Sequence, residues 1–286
     1  MRPAEGYFGS PFLALRRILL FVGLTLALMP VQAVLLLVHA RLAKRLPFWY
    51  HRQAARCLGI RVERRGRPRR QHPTLYACNH VSYFDITVLG SQLQASFIAK
   101  KEVADWPFFG WLAKLQRSVF VDRRRSQSGV QRDEIQRRLE AGDDLILFPE
   151  GTSSDGNFVL PFKSALFSVA ERRVRDTPLV VQPVSIAYTR LDDVPMGRYL
   201  RPYFAWYGDM ELGGHLWESL GLGRLTVVVE FHEPVTIEAL GSRKALADHC
   251  HAIVEAGVAR AISGRLPPRE KRRRRFGRKR ANVAAG

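Results

Sequence analysis

From Ile18 to Val38 the chain runs 21 residues without a charged side chain. As a helix this stretch is about 32 Å long, close to the thickness of a hydrocarbon core, so it belongs in lipid and the rest of the molecule must be arranged around it. Pro30 and Gln32 interrupt it. The proline admits two geometries, a kinked single span or a helical hairpin that dips into one leaflet and returns through Leu35 to Leu58. A secretory signal fits poorly, because no small-residue cleavage site follows and basic residues crowd the downstream side.

The formal net charge of +19 is concentrated in two places. Residues 52–70 hold eight arginines against Glu63, and residues 265–280 hold ten lysines or arginines against Glu270. Basic segments beside an apolar helix favour the cytoplasmic side and attract an anionic membrane surface. Nucleic-acid binding is the rival reading of the run Lys271 to Arg275. It is disfavoured, because no nucleic-acid fold signature accompanies that run and an apolar anchor already gives the charge a membrane to face. The three cysteines, Cys57, Cys78 and Cys250, lack the spacing of a zinc site or a disulfide framework. His249-Cys250-His251 has metal-ligand residue types, but consecutive helical positions diverge, so no metal is expected.

Chemistry concentrates in Asn79-His80-Val81-Ser82-Tyr83-Phe84-Asp85. A helix turns about 140° past a full circle in five residues, so His80 and Asp85 can meet only if one lies outside the helix. Ser82 and Asp85 read as a capping box, which leaves His80 in the loop entering the helix. A carboxylate bonded to one imidazole nitrogen fixes the tautomer and stabilises the cation formed when the other nitrogen takes a proton. The pair is therefore a candidate general base. The preceding run, Thr74 to Cys78, has strand character. It places the histidine at a strand's carboxyl end, where open α/β sheets bind ligands. A second apolar run, Asp144 to Phe148, ends in the same way at Pro149-Glu150-Gly151-Thr152.

These blocks, followed in order by Val181-Gln182-Pro183-Val184-Ser185-Ile186 and preceded by Val119-Phe120-Val121-Asp122-Arg123, resemble those of the glycerolipid acyltransferase family. The resemblance covers about Thr74 to Tyr188. It implies transfer of a fatty acyl group from a thioester, on coenzyme A or acyl carrier protein, to the hydroxyl of a lysolipid. No cofactor is implied beyond that co-substrate. His80 would take the acceptor's proton and Asp85 would orient the imidazole. Asn79, Phe120, Arg123, Phe148, Pro149, Glu150, Gly151, Thr152, Lys163 and Pro183 are the candidate substrate-binding residues. Arg123 resembles the family's phosphate-pairing arginine, while Arg124 and Arg125 beside it equally suit a solvated charge run. Ser153 stands where many members that use lysophosphatidate carry arginine. The segment 152–164 resembles the subgroup that acylates lyso-ornithine lipids. Lysophosphatidate is the first expectation for the acceptor and lyso-ornithine lipid the second. The setting would be a bacterial inner membrane. No Gly-x-Ser-x-Gly elbow offers a covalent nucleophile, and Cys78, on an apolar strand, reads as packed.

The expected organisation is an anchor at 1–58, an acyltransferase domain at 59–264 and a basic tail at 265–286. A first strand is expected from Leu58 to Arg64. The domain reads as a mixed β-sheet flanked by helices, with strands near 74–78, 96–99, 118–121, 144–148, 179–187 and 225–231. Helices are expected near 82–91, 107–115, 129–140, 163–172 and 242–262. The aromatic run Trp106 to Trp111 suits an acyl tunnel, the bilayer interface or simple packing. Residues 191–223 carry no motif, and shaping the acyl or head-group site is the role left for them.

Overall fold

The computed structural model describes residues 9–71, 73–121 and 129–266. Arg123 and the basic run beyond Leu266 lie outside them. The apolar segment forms helix α1 (Pro11–Leu37), which starts where Ser10 accepts a hydrogen bond from the Leu13 amide. It continues through Pro30, and the chain turns back only after Val38. A 3-10 turn at Arg41–Lys44 then leads into α2 (Leu46–Cys57).

Helix α1 is long and apolar enough to cross a membrane, yet one stripe of it is tied to the protein. The Arg17 guanidinium donates to the carbonyls of Leu220 and Leu222 at 3.0 and 2.7 Å. Thr25 Oγ1 meets Tyr50 Oη of α2 at 2.8 Å, and Gln32 donates to the carbonyls of Ala43 and Leu115. Buried polar groups that find partners hold their positions firmly. The opposite stripe, with Phe12, Leu19, Leu26 and Leu37, is exposed.

Strands β1 (Ile60–Arg65), β2 (Thr74–Cys78), β3 (Ala95–Lys100), β4 (Val119–Val121) and β5 (Asp144–Leu147) precede a small hairpin of β6 (Arg173–Val174) and β7 (Thr177–Pro178). The long β8 (Val180–Leu191), then β9 (Val194–Pro195), β10 (Leu225–Phe231) and β11 (Val235–Thr236) complete the set. The main sheet runs β1-β10-β8-β2-β5-β3-β4, with β9 and β11 paired to β8. Strand β8 is antiparallel to β10 and to the short β9 and β11, while β2 lies parallel to both β8 and β5. The sheet is mixed.

Side chains alternate across the sheet and build two cores. On one face Tyr76, Cys78, Ile186 and Val229 pack beneath α3 (Phe84–Gly90), with Ala14 of α1 and Leu220 of α6 (Leu212–Gly221). On the other, Leu75, Leu145, Val181 and Val228 meet Leu139 of α5 (Gly129–Glu140) and Leu246, Cys250 and Val254 of the C-terminal helix (Arg243–Ile262). Each leucine, isoleucine or valine among them contributes about 1.5–3 kcal/mol when fully buried. Cys250 and its neighbours thus serve packing.

Two of the expected helices are corrected, and one further helix was not anticipated. The segment 163–172 forms 3-10 turns, Ser164–Glu171, in place of an α-helix. Helix α4 (Phe109–Leu115) starts later than 107, because Phe108 takes a φ of 62° that cannot be helical. Helix α6 was not anticipated. Its signals were Glu211, whose carboxylate caps the amides of Gly213 and Gly214, and Leu212, Leu216 and Leu220 at helical spacing. Glycines at 213, 214 and 221 obscured that pattern.

Candidate active site

Because β2 and β5 are parallel neighbours with Ala77 opposite Leu147, the loops leaving them emerge at the same end of the sheet. Asn79-His80 and Pro149-Glu150 are therefore brought together by register alone. Backbone bonds then zip the loops: the Ser154 amide donates to the His80 carbonyl at 2.9 Å. The Glu150 carboxylate accepts the amides of His80 at 2.6 Å and Leu160 at 2.9 Å.

His80 Nδ1 donates to Asp85 Oδ2 at 2.8 Å. The same oxygen accepts the amides of Val81 and Ser82 at 2.7 and 3.0 Å, and Oδ1 accepts the Tyr188 hydroxyl at 2.8 Å. Asp85 is fully buried, so these four donors replace its water. The expected capping box is corrected here. Helix α3 begins at Phe84, and Ser82 Oγ sits 3.5 Å from the Phe84 amide without reaching the Asp85 amide. The reverse half survives, because Asp85 reaches back to the loop and so holds the histidine.

With Nδ1 committed to Asp85, Nε2 is the nitrogen able to take a proton. The His80 ring is stacked on Phe148 at 4.1 Å between centroids, and its side chain is 23% exposed, so it is held but reachable. It opens on an apolar chamber of about 630 Å³ walled by α1, α2, α3, α4 and α6. That volume suits a lipid chain.

The other expected residues divide by task. Phe148, Gly151 and Thr152 line the chamber, Gly151 with a φ of 73° that favours glycine. Asn79 does not reach it. Its amide is bonded both ways to the Ile186 backbone, at 2.9 and 2.7 Å, and clamps the end of β2 to β8. Pro149 is buried and offers its carbonyl to the Lys163 amide, while Lys163 itself is exposed away from the chamber. Pro183 is buried within β8, where its carbonyl accepts the His232 amide. Phe120 lies on β4 opposite Ala99 and off the chamber wall.

Glu150 faces inward and serves the chain. Burial pushes its carboxyl up to about 8, against the two amide donors that pull it down. A group raised above its ordinary 4.5 stabilises the fold fully below that pH, and the contribution is lost as pH rises through about 8. Glu150→Gln sets an amide NH2 against one of the two donors. It should cost about 1–3 kcal/mol and lower turnover through the displaced His80 loop. In urea titrations, the stability gap between wild type and the variant should be wider near pH 5 than near pH 9. An equal gap at both would exclude Glu150 as the titrating group.

Other residues that build the site carry no motif. Tyr188 is a strand tyrosine whose role as donor to Asp85 emerges only in three dimensions. Trp206, in the unread segment, donates its amide to the Val81 carbonyl, takes the Ser153 hydroxyl on its own carbonyl and lines the chamber. Trp106, Phe108 and Phe109 line it too, so the tunnel reading of the aromatic run fits the geometry. Cys78 is fully buried and burial pushes its thiol well up, which removes it as a nucleophile.

A held imidazole on the wall of an apolar chamber is the geometry that an enzyme activating a hydroxyl beside a fatty chain would need. Comparison with known proteins agrees. The family model described as Acyltransferase matches residues 59–187. The chain is 47% identical over 251 residues to the lyso-ornithine lipid O-acyltransferase of Brucella abortus, covering 86% of this chain and 94% of that one. It is 34% identical over 210 residues to the 1-acyl-sn-glycerol-3-phosphate acyltransferase of Neisseria gonorrhoeae, covering 72% and 77%. The crystal structure of the 1-acyl-sn-glycerophosphate acyltransferase PlsC from Thermotoga maritima shares the fold. Its TM-score is 0.56 at 23% identity, over 79% of this chain and 81% of that one. The chain belongs to the acyltransferase family, and it is an acyltransferase of lysolipids.

Proposed function

We propose that the protein is a lyso-ornithine lipid O-acyltransferase at the cytoplasmic face of a bacterial inner membrane. His80 Nε2 takes the proton of the acceptor hydroxyl as its oxygen attacks the thioester carbonyl. The C–S bond then breaks, and the departing thiolate receives that proton from the imidazolium. The donor is a fatty acyl thioester of coenzyme A or acyl carrier protein. The observation that carries the chemistry is the His80–Asp85 pair opening on the chamber.

The choice of head group rests on Ser153 and on the names of the relatives. At the position where members using lysophosphatidate often carry arginine, Ser153 turns its hydroxyl to the Trp206 carbonyl. A missing charge-assisted bond to phosphate is worth about 1.5–3 kcal/mol, a factor of ten or more. Lysophosphatidate therefore ranks second, behind an acceptor whose head group is an amino acid. The exposed stripe of α1 and the basic residues of 52–70 suit a bilayer with anionic lipids.

Purified protein given a labelled acyl thioester and a panel of lysolipids should acylate lyso-ornithine lipid at least about tenfold faster than lysophosphatidate. Ser153→Arg should narrow the gap. The opposite ranking in wild type would overturn the head-group reading and leave the acyl-transfer chemistry standing.

A further inference from the structure

Residues 150–154 form an arch with both feet on His80. The Glu150 carboxylate accepts the His80 amide at 2.6 Å, and the Ser154 amide donates to the His80 carbonyl at 2.9 Å. Phe148, just before the arch, stacks on the imidazole at 4.1 Å between centroids. Thr152 is thus the apex of a loop tied to His80 at both ends.

Its neighbours on the arch are bonded to the protein. Gly151 donates its amide to the Phe148 carbonyl at 3.1 Å, the Ser153 hydroxyl donates to the Trp206 carbonyl, and the Ser154 hydroxyl oxygen accepts the Gly156 amide at 3.3 Å. Thr152 differs. It is exposed and lines the chamber, and neither its hydroxyl nor its amide has a hydrogen-bond partner among the described residues.

Acyl transfer needs something the His80–Asp85 pair does not supply. As the acceptor oxygen bonds to the thioester's carbonyl carbon, the carbonyl π pair moves onto its oxygen. That oxyanion must be held until its electrons re-form the C=O bond and the C–S bond breaks, sending the thiolate away to take the proton from the imidazolium. His80 has Nδ1 on Asp85 and Nε2 on the acceptor's proton, so the donors to the oxyanion lie elsewhere. The carbonyl carbon touches the acceptor oxygen, which itself is bonded to the imidazole, so the oxyanion forms beside the His80 ring, where the arch stands. A hydroxyl and an amide of one residue can meet one oxygen, and fixed donors act more strongly in an apolar chamber than in water.

We propose that Thr152 is a catalytic residue, whose hydroxyl and amide hold the thioester's carbonyl oxygen as it becomes an oxyanion. This rests on reading the chamber as the acyl-transfer site. A threonine that only touched the acceptor's head group would act on binding, whereas an oxyanion donor acts on turnover.

Thr152→Val keeps the shape and the amide and removes the hydroxyl. It should lower kcat about 10²-fold and leave the KM for thioester and for lysolipid within about twofold of wild type. Thr152→Ser, which restores the hydroxyl, should bring kcat back to within about fivefold. A second measurement is independent of how much of each preparation is folded. A saturated acyl thioester competes in one tube with the dithioester that carries sulfur in place of the carbonyl oxygen, on whichever carrier wild type turns over, coenzyme A or acyl carrier protein. Sulfur accepts hydrogen bonds weakly, so the oxygen-to-sulfur rate ratio should fall about tenfold from wild type to Thr152→Val, the intrinsic reactivities cancelling.

Wild-type turnover in Thr152→Val would overturn the proposal. So would a raised KM for lysolipid at unchanged kcat, or a slower reaction whose oxygen-to-sulfur ratio stays at the wild-type value. A wild-type protein that acylates no lysolipid would instead overturn the reading of the chamber on which the proposal rests.

Discussion

Replacing His80 with alanine is expected to lower kcat for acyl transfer by about 10²–10⁴-fold, the contribution of a positioned general base. Thiol release from an acyl thioester in the presence of lysolipid measures it directly. The fold should survive the change. The side chain is partly exposed, and Asp85 keeps the Val81 and Ser82 amides and the Tyr188 hydroxyl as donors when the imidazole is gone. The variant should therefore unfold within about 1–2 kcal/mol of wild type in denaturant. Wild-type turnover in the variant would refute the assignment of the base, whatever its stability.

Asp85→Asn should cost nearly as much in turnover, about 10²–10⁴-fold, by a different route. An asparagine oxygen can still accept from Nδ1 and the two amides, and the Tyr188 hydroxyl can rotate to accept from the new NH2. The geometry persists while the negative charge is lost, so the imidazolium formed during the reaction loses its partner. Asp85→Ala would confuse matters by leaving buried amides without an acceptor. Tyr188→Phe removes one donor to Asp85 and leaves the charge, so its effect should be smaller than that of Asp85→Asn. If Asp85→Asn turned over like wild type, Asp85 would be a loop-holding residue only.

The His80–Asp85 pair was legible in the sequence because both parts lie in one turn of chain, and a five-residue step already required a loop-to-helix junction. The meeting of the two motif loops was legible only in outline. Register between β2 and β5 decides it, and nothing in either segment states which strands pair. The tasks of Asn79 and Glu150 were misread for a related reason. A polar residue in a motif looks the same whether it faces a ligand or the backbone, and both face the backbone here. The roles of Tyr188 and Trp206 were out of reach, since they depend on contacts across more than a hundred residues of chain. The apolar segment was legible as one long helix. Its docking through Arg17, Thr25 and Gln32 was not, because three polar residues spaced along a helix carry no local signal of what they touch.

In the proposed reaction the acceptor's oxygen attacks the thioester directly, with His80 moving only a proton. The most direct measurement is a single-turnover reaction followed by intact mass and thiol release, first with acyl thioester alone and then with lysolipid added. Without acceptor, the protein's mass should stay unchanged and no stoichiometric thiol should appear; with acceptor, thiol and two-chain lipid should rise together. A burst of one equivalent of thiol before lysolipid is added, with a mass gain of one acyl group, would contradict it.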